Sequence, residues 1–325
     1  MPHTDSPRKP PRRFWLFAPY VLALAVMLGW SLAWLAISHG LSQRLDDQAA
    51  RLRAHGWTVA WDHRRLGGYP FRLELDLDGL RLADPSGWAL ATPQLHAEAY
   101  AYAPGRWVMA APQGVALTRP RRGTVMVSGP VLRASVQVHD GAAPDVAVEG
   151  QSLVLTAQPG AAPLPVTGCQ RLGLYMRPLP SDQAEVQLQL SGATPAQGGL
   201  LARLNSGRPL DLVWDQGLTE VSALKGPTWR TAVDAWSAAG GALTSAHGQV
   251  SAADFRLDLS ADRLTADPQG RLRGKVKLDL SHAGAAPELL GPAAALASLF
   301  KTSLNLSDGG LWLGPFRIGA APKLY

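Results

Sequence analysis

The chain has a single cysteine, Cys169, in 325 residues. No intrachain disulfide can form, and neither a Cys-x-x-Cys pair nor a Cys/His zinc cluster can be assembled. Nothing nearby in sequence would lower its pKa, so Cys169 reads as a small, partly buried thiol rather than a nucleophile. It lies too far from the N-terminus to be a lipoprotein acylation site.

Basic charge is also scarce once the N-terminal tail is set aside. The net charge is +6, and Arg8, Lys9, Arg12 and Arg13 against Asp5 supply +3 of it. The remainder carries no basic stripe and no aromatic-interleaved patch, which argues against nucleic acid as a partner. The common catalytic signatures are missing as well: no phosphate loop, no dinucleotide fingerprint, no His-Glu-x-x-His and no Gly-x-Ser-x-Gly elbow. Two Ser-x-x-Lys matches, Ser222 to Lys225 and Ser298 to Lys301, lack the partner motifs that would make them chemical. His55 and His63 flank a short segment with Asp62, but no third or fourth metal ligand is in view. Glu74, Asp76 and Asp78 line one strand face and read as its solvated side. No catalytic residue, cofactor or metal ligand is assigned, and a non-enzymatic protein is expected.

What the chain does have is one long uncharged run, from Phe14 to Ser38. As a helix rising about 1.5 Å per residue it exceeds the roughly 30 Å of a bilayer's hydrocarbon core, so it can cross with tilt. It is too long for a signal-peptide core and ends without a clean small-x-small site, so an uncleaved anchor is expected. Four cations precede it and only Arg44 follows closely, which places residues 1–13 in the cytoplasm and everything after Ser38 outside it. Trp15 and Tyr20 near one end, with Trp30 and Trp34 towards the other, are placed as interfacial anchors.

Beyond the anchor, Leu41, Leu45, Ala49 and Leu52 recur at helical spacing, and Gly56 suits a stop, giving a juxtamembrane helix within residues 39–56. The pattern then changes to period two. Phe71, Leu73, Leu75 and Leu77 alternate with Arg72, Glu74, Asp76 and Asp78, and similar alternation recurs to Leu280 between turns rich in Gly, Pro and Asp. Gly79 shifts the apolar phase to Leu80 and Leu82, as a bulge or tight turn would. Pro227 to Ala239 and Pro287 to Lys301 break the alternation and read as helices packed on a sheet. The expected fold is therefore mainly β: an antiparallel sheet, curved or two-lobed, with one or two packed helices and one N-terminal transmembrane helix. Residues 57–325 form the β-rich part. An internal echo between Phe71 to Gly87 and Phe255 to Gly270 suggests two related lobes, 57–220 and 221–325.

The run Gly67-Gly68-Tyr69-Pro70-Phe71-Arg72-Leu73-Glu74-Leu75, together with Leu311-Trp312-Leu313-Gly314-Pro315-Phe316-Arg317-Ile318-Gly319, resembles an uncharacterised bacterial family, domain of unknown function 2125. The resemblance extends from the anchor to the C-terminus and brings no catalytic residues. The plan of an inner-membrane helix followed by amphipathic strands is also similar to that of AsmA-like envelope proteins, which implies lipid handling along a β groove. Gly67, Gly68, Tyr69, Pro70, Gly314 and Pro315 are expected to shape the sheet. The site expected is an apolar sheet face lined by Phe71, Leu73, Leu75, Leu77, Phe255, Leu257 and Leu259, binding phospholipid or another hydrophobic ligand near the bacterial inner membrane, on the periplasmic side. The alternative is a scaffold that binds another envelope protein through a sheet edge or through Trp229, Trp236 or Trp312.

Overall fold

The structure is a computed structural model that describes residues 14–139, 143–199, 201–202, 207–252, 255–281 and 302–325; the side chains of 14–16, 255 and 280–281 are not among those described. The second expected helix, Pro287 to Lys301, lies outside the described residues, as does Ser298 to Lys301.

One helix, α1 (Phe14–Ala54), takes in both the apolar run and the juxtamembrane segment without a break at residues 38–39. None of the residues joining the two, Ser38 to Ser42, stops a helix strongly. Gly40 is the weak point, and the packing beyond it supplies the stability a lone glycine removes. Up to Gly29 the described side chains of α1 stand largely clear of the rest of the molecule, with Tyr20, Leu22 and Met27 exposed. Its C-terminal half is packed: Ala49 is buried and Leu45 joins a core cluster with Leu75, Leu77, Leu80 and Ala97. Arg53 donates to the Val59 carbonyl at 2.9 and 2.7 Å, and Asp46 pairs with Arg64 at 2.7 Å.

The described residues form one antiparallel sheet of eighteen strands. It begins with β1 (Thr58–Ala60) and β2 (His63–Gly67), which share one edge of β3 (Arg72–Ala83); β4 (Ala89–Tyr100) lies on the other edge. β4 then forks, pairing at one end with β5 (Ala103–Ala110) and at the other with β6 (Val115–Arg119). These lead through β8 (Val131–Gln137) and β7 (Gly123–Ser128) respectively to the two halves of β9 (Asp145–Ala157). A meander follows: β10 (Val166–Leu179), β11 (Gln183–Pro195), β12 (Leu210–Thr219), β13 (Ala242–Ala252), β14 (Phe255–Ala266), β15 (Leu272–Ser281), β16 (Thr302–Ser307), β17 (Gly310–Leu313) and β18 (Phe316–Ala320). Because β12 pairs with β13 from Asp211↔Ser251 to Leu218↔Leu243, the sheet runs on across residue 220.

A helix, α2 (Trp229–Ala238), interrupts the meander where Pro227 and Gly240-Gly241 bracket the sequence. Thr228 caps it by accepting from the Thr231 amide, while Thr231 accepts from the Thr228 amide. Its inner face, Val233 and Trp236, closes a second cluster with Leu243, Ala246, Ala261, Leu264 and Leu306. A third cluster is formed by Leu153, Cys169, Ala193, Leu210 and Val250.

A crease crosses the sheet. In β3 the buried positions are Leu73, Leu75 and Leu77, then Leu80, a step of three instead of two, with Gly79 at a φ of 63° between them. The strand does not turn there, and its register runs through unshifted: Gly79 lies opposite Asp62, where β1 and β2 part, and opposite Pro93 of β4. Across β4 the crease passes Pro93 and the β5/β6 fork, where Thr92 donates to the carbonyls of Gln94 and Gly114, both at 2.9 Å. It continues at Ser152 (φ 48°) in β9, at Gln170 in β10 between the pairs Cys169↔Leu153 and Arg171↔Gln151, and at Gly192 (φ 59°) in β11. It ends at Asp211, whose carboxylate accepts from the Gly192 amide at 2.8 Å. Each strand takes up one extra residue at the crease in step with its neighbours, so the dry side of the strand stays dry while its sequence parity inverts; the register shifts there only between β11 and β12, where Ser191 and Gly192 oppose Asp211.

The echoed segments form the same unit. Asp84 and Asp267 each close a strand of 12 residues with their carboxylates, accepting from the amides of Ser86 and Trp88 and of Gln269 and Arg271 at 2.8 to 3.0 Å.

Candidate functional site

On the dry face of β8 to β11, two rows of side chains line up across the strands. The first is Ala134, Val148, Leu174 and Leu188; the second is Val136, Val146, Met176 and Val186. β-branched and long aliphatic residues at alternate positions place both rows on one face. These eight residues belong to none of the three core clusters of the described residues, and none is buried; Leu174 is 37% exposed. The clusters frame them. Met109 and Trp107 on β5 flank Ala134 and Val136 and pack on the first cluster; Trp214 on β12 flanks Leu188 and packs on the second; Leu172 and Leu190, towards the crease, pack on the third. The fourth side leads to the strand ends, where Val138 and Leu179 are exposed.

The opposite face of the same strands is polar. Arg133 and Glu149 pair at 2.6 Å, and the Tyr175 hydroxyl donates to Glu149 at 3.3 Å. Burial first, and then the Glu149 charge, push the Tyr175 hydroxyl above its ordinary pKa. Arg133, Glu149, Arg171, Tyr175, Gln189 and Asp211 line a cavity of about 580 Å³ on this side.

The residues expected to line the apolar site divide. Leu73 is 1% exposed, and Leu75 and Leu77 are buried in the cluster closed by Leu45 of α1, so all three are core. Leu257 packs half-buried on the cluster around Leu153. Leu259 continues the first open row, through Leu188↔Trp214, Trp214↔Gly248 and Gly248↔Leu259. Phe255 opens β14, with its side chain outside the described set. The β8–β11 residues carried no distinguishing signal, because alternation marks a dry face without saying what covers it.

Phe71 is 63% exposed at the tip of the β2–β3 hairpin, and that tip rests on α1. Gly68, at a φ of 94°, lets the chain reverse there: a Cβ would come within 2.7 Å of the Arg72 carbonyl oxygen. Pro70 belongs to the turn, after a cis Tyr69-Pro70 peptide, and β3 begins only at Arg72. Trp30 donates its indole N–H to the Pro70 carbonyl at 2.8 Å and Trp34 to that of Arg72 at 2.9 Å. The Ser31 and Tyr69 hydroxyls are 2.8 Å apart, and the Tyr69 ring meets Trp34 edge-on at 5.5 Å between centroids. Beside it, the β4–β5 hairpin tip stacks Tyr100 on Tyr102 at 5.0 Å, both exposed. Gly314-Pro315 forms the β17–β18 turn, with Gly314 at a φ of 57° in open space.

Of the three tryptophans expected to offer a partner surface, Trp236 is core and Trp312 is half-buried, donating to the Ser307 carbonyl at 3.1 Å. Trp229 is 44% exposed and lines a cleft of about 410 Å³ with Trp57, Trp88, Leu82 and Leu90. Ser222, one member of the Ser-x-x-Lys pairs, is engaged by Asp182 through both its amide and its hydroxyl.

Fold and site together define a class: an antiparallel β protein hung from one apolar N-terminal helix long enough to cross a membrane, with one sheet face dry and the other polar. Within that class, the chain belongs to the family described as uncharacterized protein conserved in bacteria (DUF2125), whose profile matches residues 34–322. The match takes in the α1-borne Trp34, the hairpin tip at Gly68 and the turn at Gly314. No curated protein and no solved structure matches the chain.

Proposed function

We propose that the chain is a non-enzymatic, single-pass protein of the bacterial inner membrane that binds phospholipid or another hydrophobic ligand on its apolar sheet face. The observation that carries the reading is the double row on β8 to β11, only partly buried and outside every described core cluster. Contiguous apolar surface of more than roughly a few hundred Å² on a soluble domain marks an interaction site. Covering it with an acyl chain is worth roughly 25 cal/mol per Å² removed from water. The charge asymmetry about the apolar run supports a cytoplasmic N-terminus and a periplasmic sheet, and the missing catalytic signatures support a binding role.

Native mass spectrometry of the full chain, extracted in mild detergent, tests this. Bound phospholipid is expected, and Val148→Asp and Leu188→Asp are expected to abolish it while the circular dichroism spectrum is unchanged. Lipid retained by both folded variants, or a lipid-free wild-type chain, sinks the proposal.

A second reading, a scaffold for another envelope protein, draws on the cleft walled by Trp57, Trp88 and Trp229 and on β18, which among the described residues pairs only with β17 and exposes Phe316 and Ile318. An unpaired edge accepts a partner strand through main-chain hydrogen bonds. This reading expects a copurifying protein and no bound lipid.

A further inference from the structure

We infer that the tips of the β2–β3 and β4–β5 hairpins are a second membrane-attachment site, seated in the interfacial layer of the leaflet from which α1 emerges. The inference rests on α1 crossing a bilayer and is independent of lipid binding on β8 to β11.

The height of the tips along α1 is the first argument. Residues 14–34 of a helix rising about 1.5 Å per residue cover about 30 Å, the thickness of the hydrocarbon core. Trp30 and Trp34 therefore lie where the helix leaves hydrocarbon, although the uncharged run continues to Ser38. Both indoles donate to hairpin carbonyls, those of Pro70 and Arg72, so the tip is fixed at that level. Indole and phenol rings favour this layer because the ring body is apolar while the N–H or O–H meets headgroups and water.

The chemistry of the tips is the second argument. Tyr69, Phe71, Tyr100 and Tyr102 are each at least half exposed, an unfavourable display of aromatic surface in water. Of the four, the Tyr69 ring packs on Trp34 and the Phe71 ring lies 6.3 Å from that of Trp30, so the first tip is seated on the helix, with the second tip beside it. Arg72, one residue behind the first tip, is half-exposed and already paired with Glu98 at 3.0 Å, so the tip carries no net charge there and its attraction to the bilayer rests on the rings. The next strand ends along the same side of the sheet expose Val138 and Leu179. The occupant that fits is the interfacial layer of the bilayer itself, where amphipathic rings are favoured.

Spin labels on the full chain decide it. Leu24→Cys, Tyr102→Cys and Ser86→Cys are made in a Cys169→Ala background and reconstituted into phosphatidylethanolamine–phosphatidylglycerol vesicles. Accessibility to oxygen and to a water-soluble nickel chelate is then compared. Ser86, in the turn at the far end of β3, is the aqueous reference, and Leu24 reads the span. The expected result is nickel accessibility at position 102 several-fold below that at position 86, with position 24 lower still. Equal nickel accessibility at 102 and 86, with 24 protected, overturns the inference and leaves the anchor intact. A nickel-accessible position 24 removes the anchor and the inference together. Neither outcome touches the mass-spectrometric test of lipid binding.

Discussion

Gly79 and Gly314 both hold a left-handed backbone, yet their surroundings differ. At Gly79 a Cβ would collide with the Asp62 carboxylate, which is itself engaged by Arg81, whereas at Gly314 it would meet nothing. The backbone cost of a non-glycine residue there is roughly 1–2 kcal/mol. Gly314→Ala should therefore cost about that much, and Gly79→Ala clearly more, because the Asp62 carboxylate must also move out of the way. Thermal unfolding of the two variants side by side checks the order, and equal losses would mean that the crease is not held at Asp62. Cys169, buried on the crease, has its thiol pushed above the usual value by burial, in keeping with a packing role.

At the scale of elements, α1 and β2 are joined by Asp46 and Arg64, and the hydrogen bond from Arg64 holds the Asp46 carboxyl below its usual pKa. A carboxyl depressed in the folded state contributes stability that is present above its unfolded pKa, about 3.9, and lost as the pH falls through the lower folded value. Arg64→Ala should return Asp46 to ordinary titration, visible by NMR, and remove that acid-side contribution; an unmoved Asp46 would mean that the pair is not formed in solution. These elements differ in how plainly the amino acids announce them. The alternation Phe71 to Leu77 and the bracket from Pro227 to Gly241 are local patterns, and they produce β3 and α2 directly. Gly79 betrays the crease because only glycine is at ease there. Ser152 and Gln170 do not, since their conformation is imposed by neighbouring strands rather than by their own side chains. The open rows on β8 to β11 were equally hidden, and Leu73, Leu75 and Leu77 look the same in sequence as Leu174 and Leu188 although one set is sealed by α1. Coverage is a property of elements distant in sequence, which a strand's own period does not encode.

For the whole molecule, α1 belongs half to the apolar span and half to the β domain. Leu45 and Ala49 close the cluster around Leu75, and Arg53 and Asp46 tie the helix to β1 and β2. A chain starting at residue 39 should consequently melt several degrees above one starting at residue 57, as expected when losing buried helix packing costs a few kcal/mol. Equal melting temperatures would show that the helix contributes nothing to the fold beyond attachment.

The unbroken run of α1 from Phe14 to Ala54 also makes the domain a rigid mast rather than a tethered float. With no linker to absorb motion, any tilt of the helix in the bilayer swings the sheet by the same angle. The turn at Asp84, a 12-residue strand beyond the hairpin tip and so roughly 40 Å out along β3, becomes the end of a lever. Bilayer thickness, by setting helix tilt, would then decide how far that end reaches and in which direction the apolar face leans.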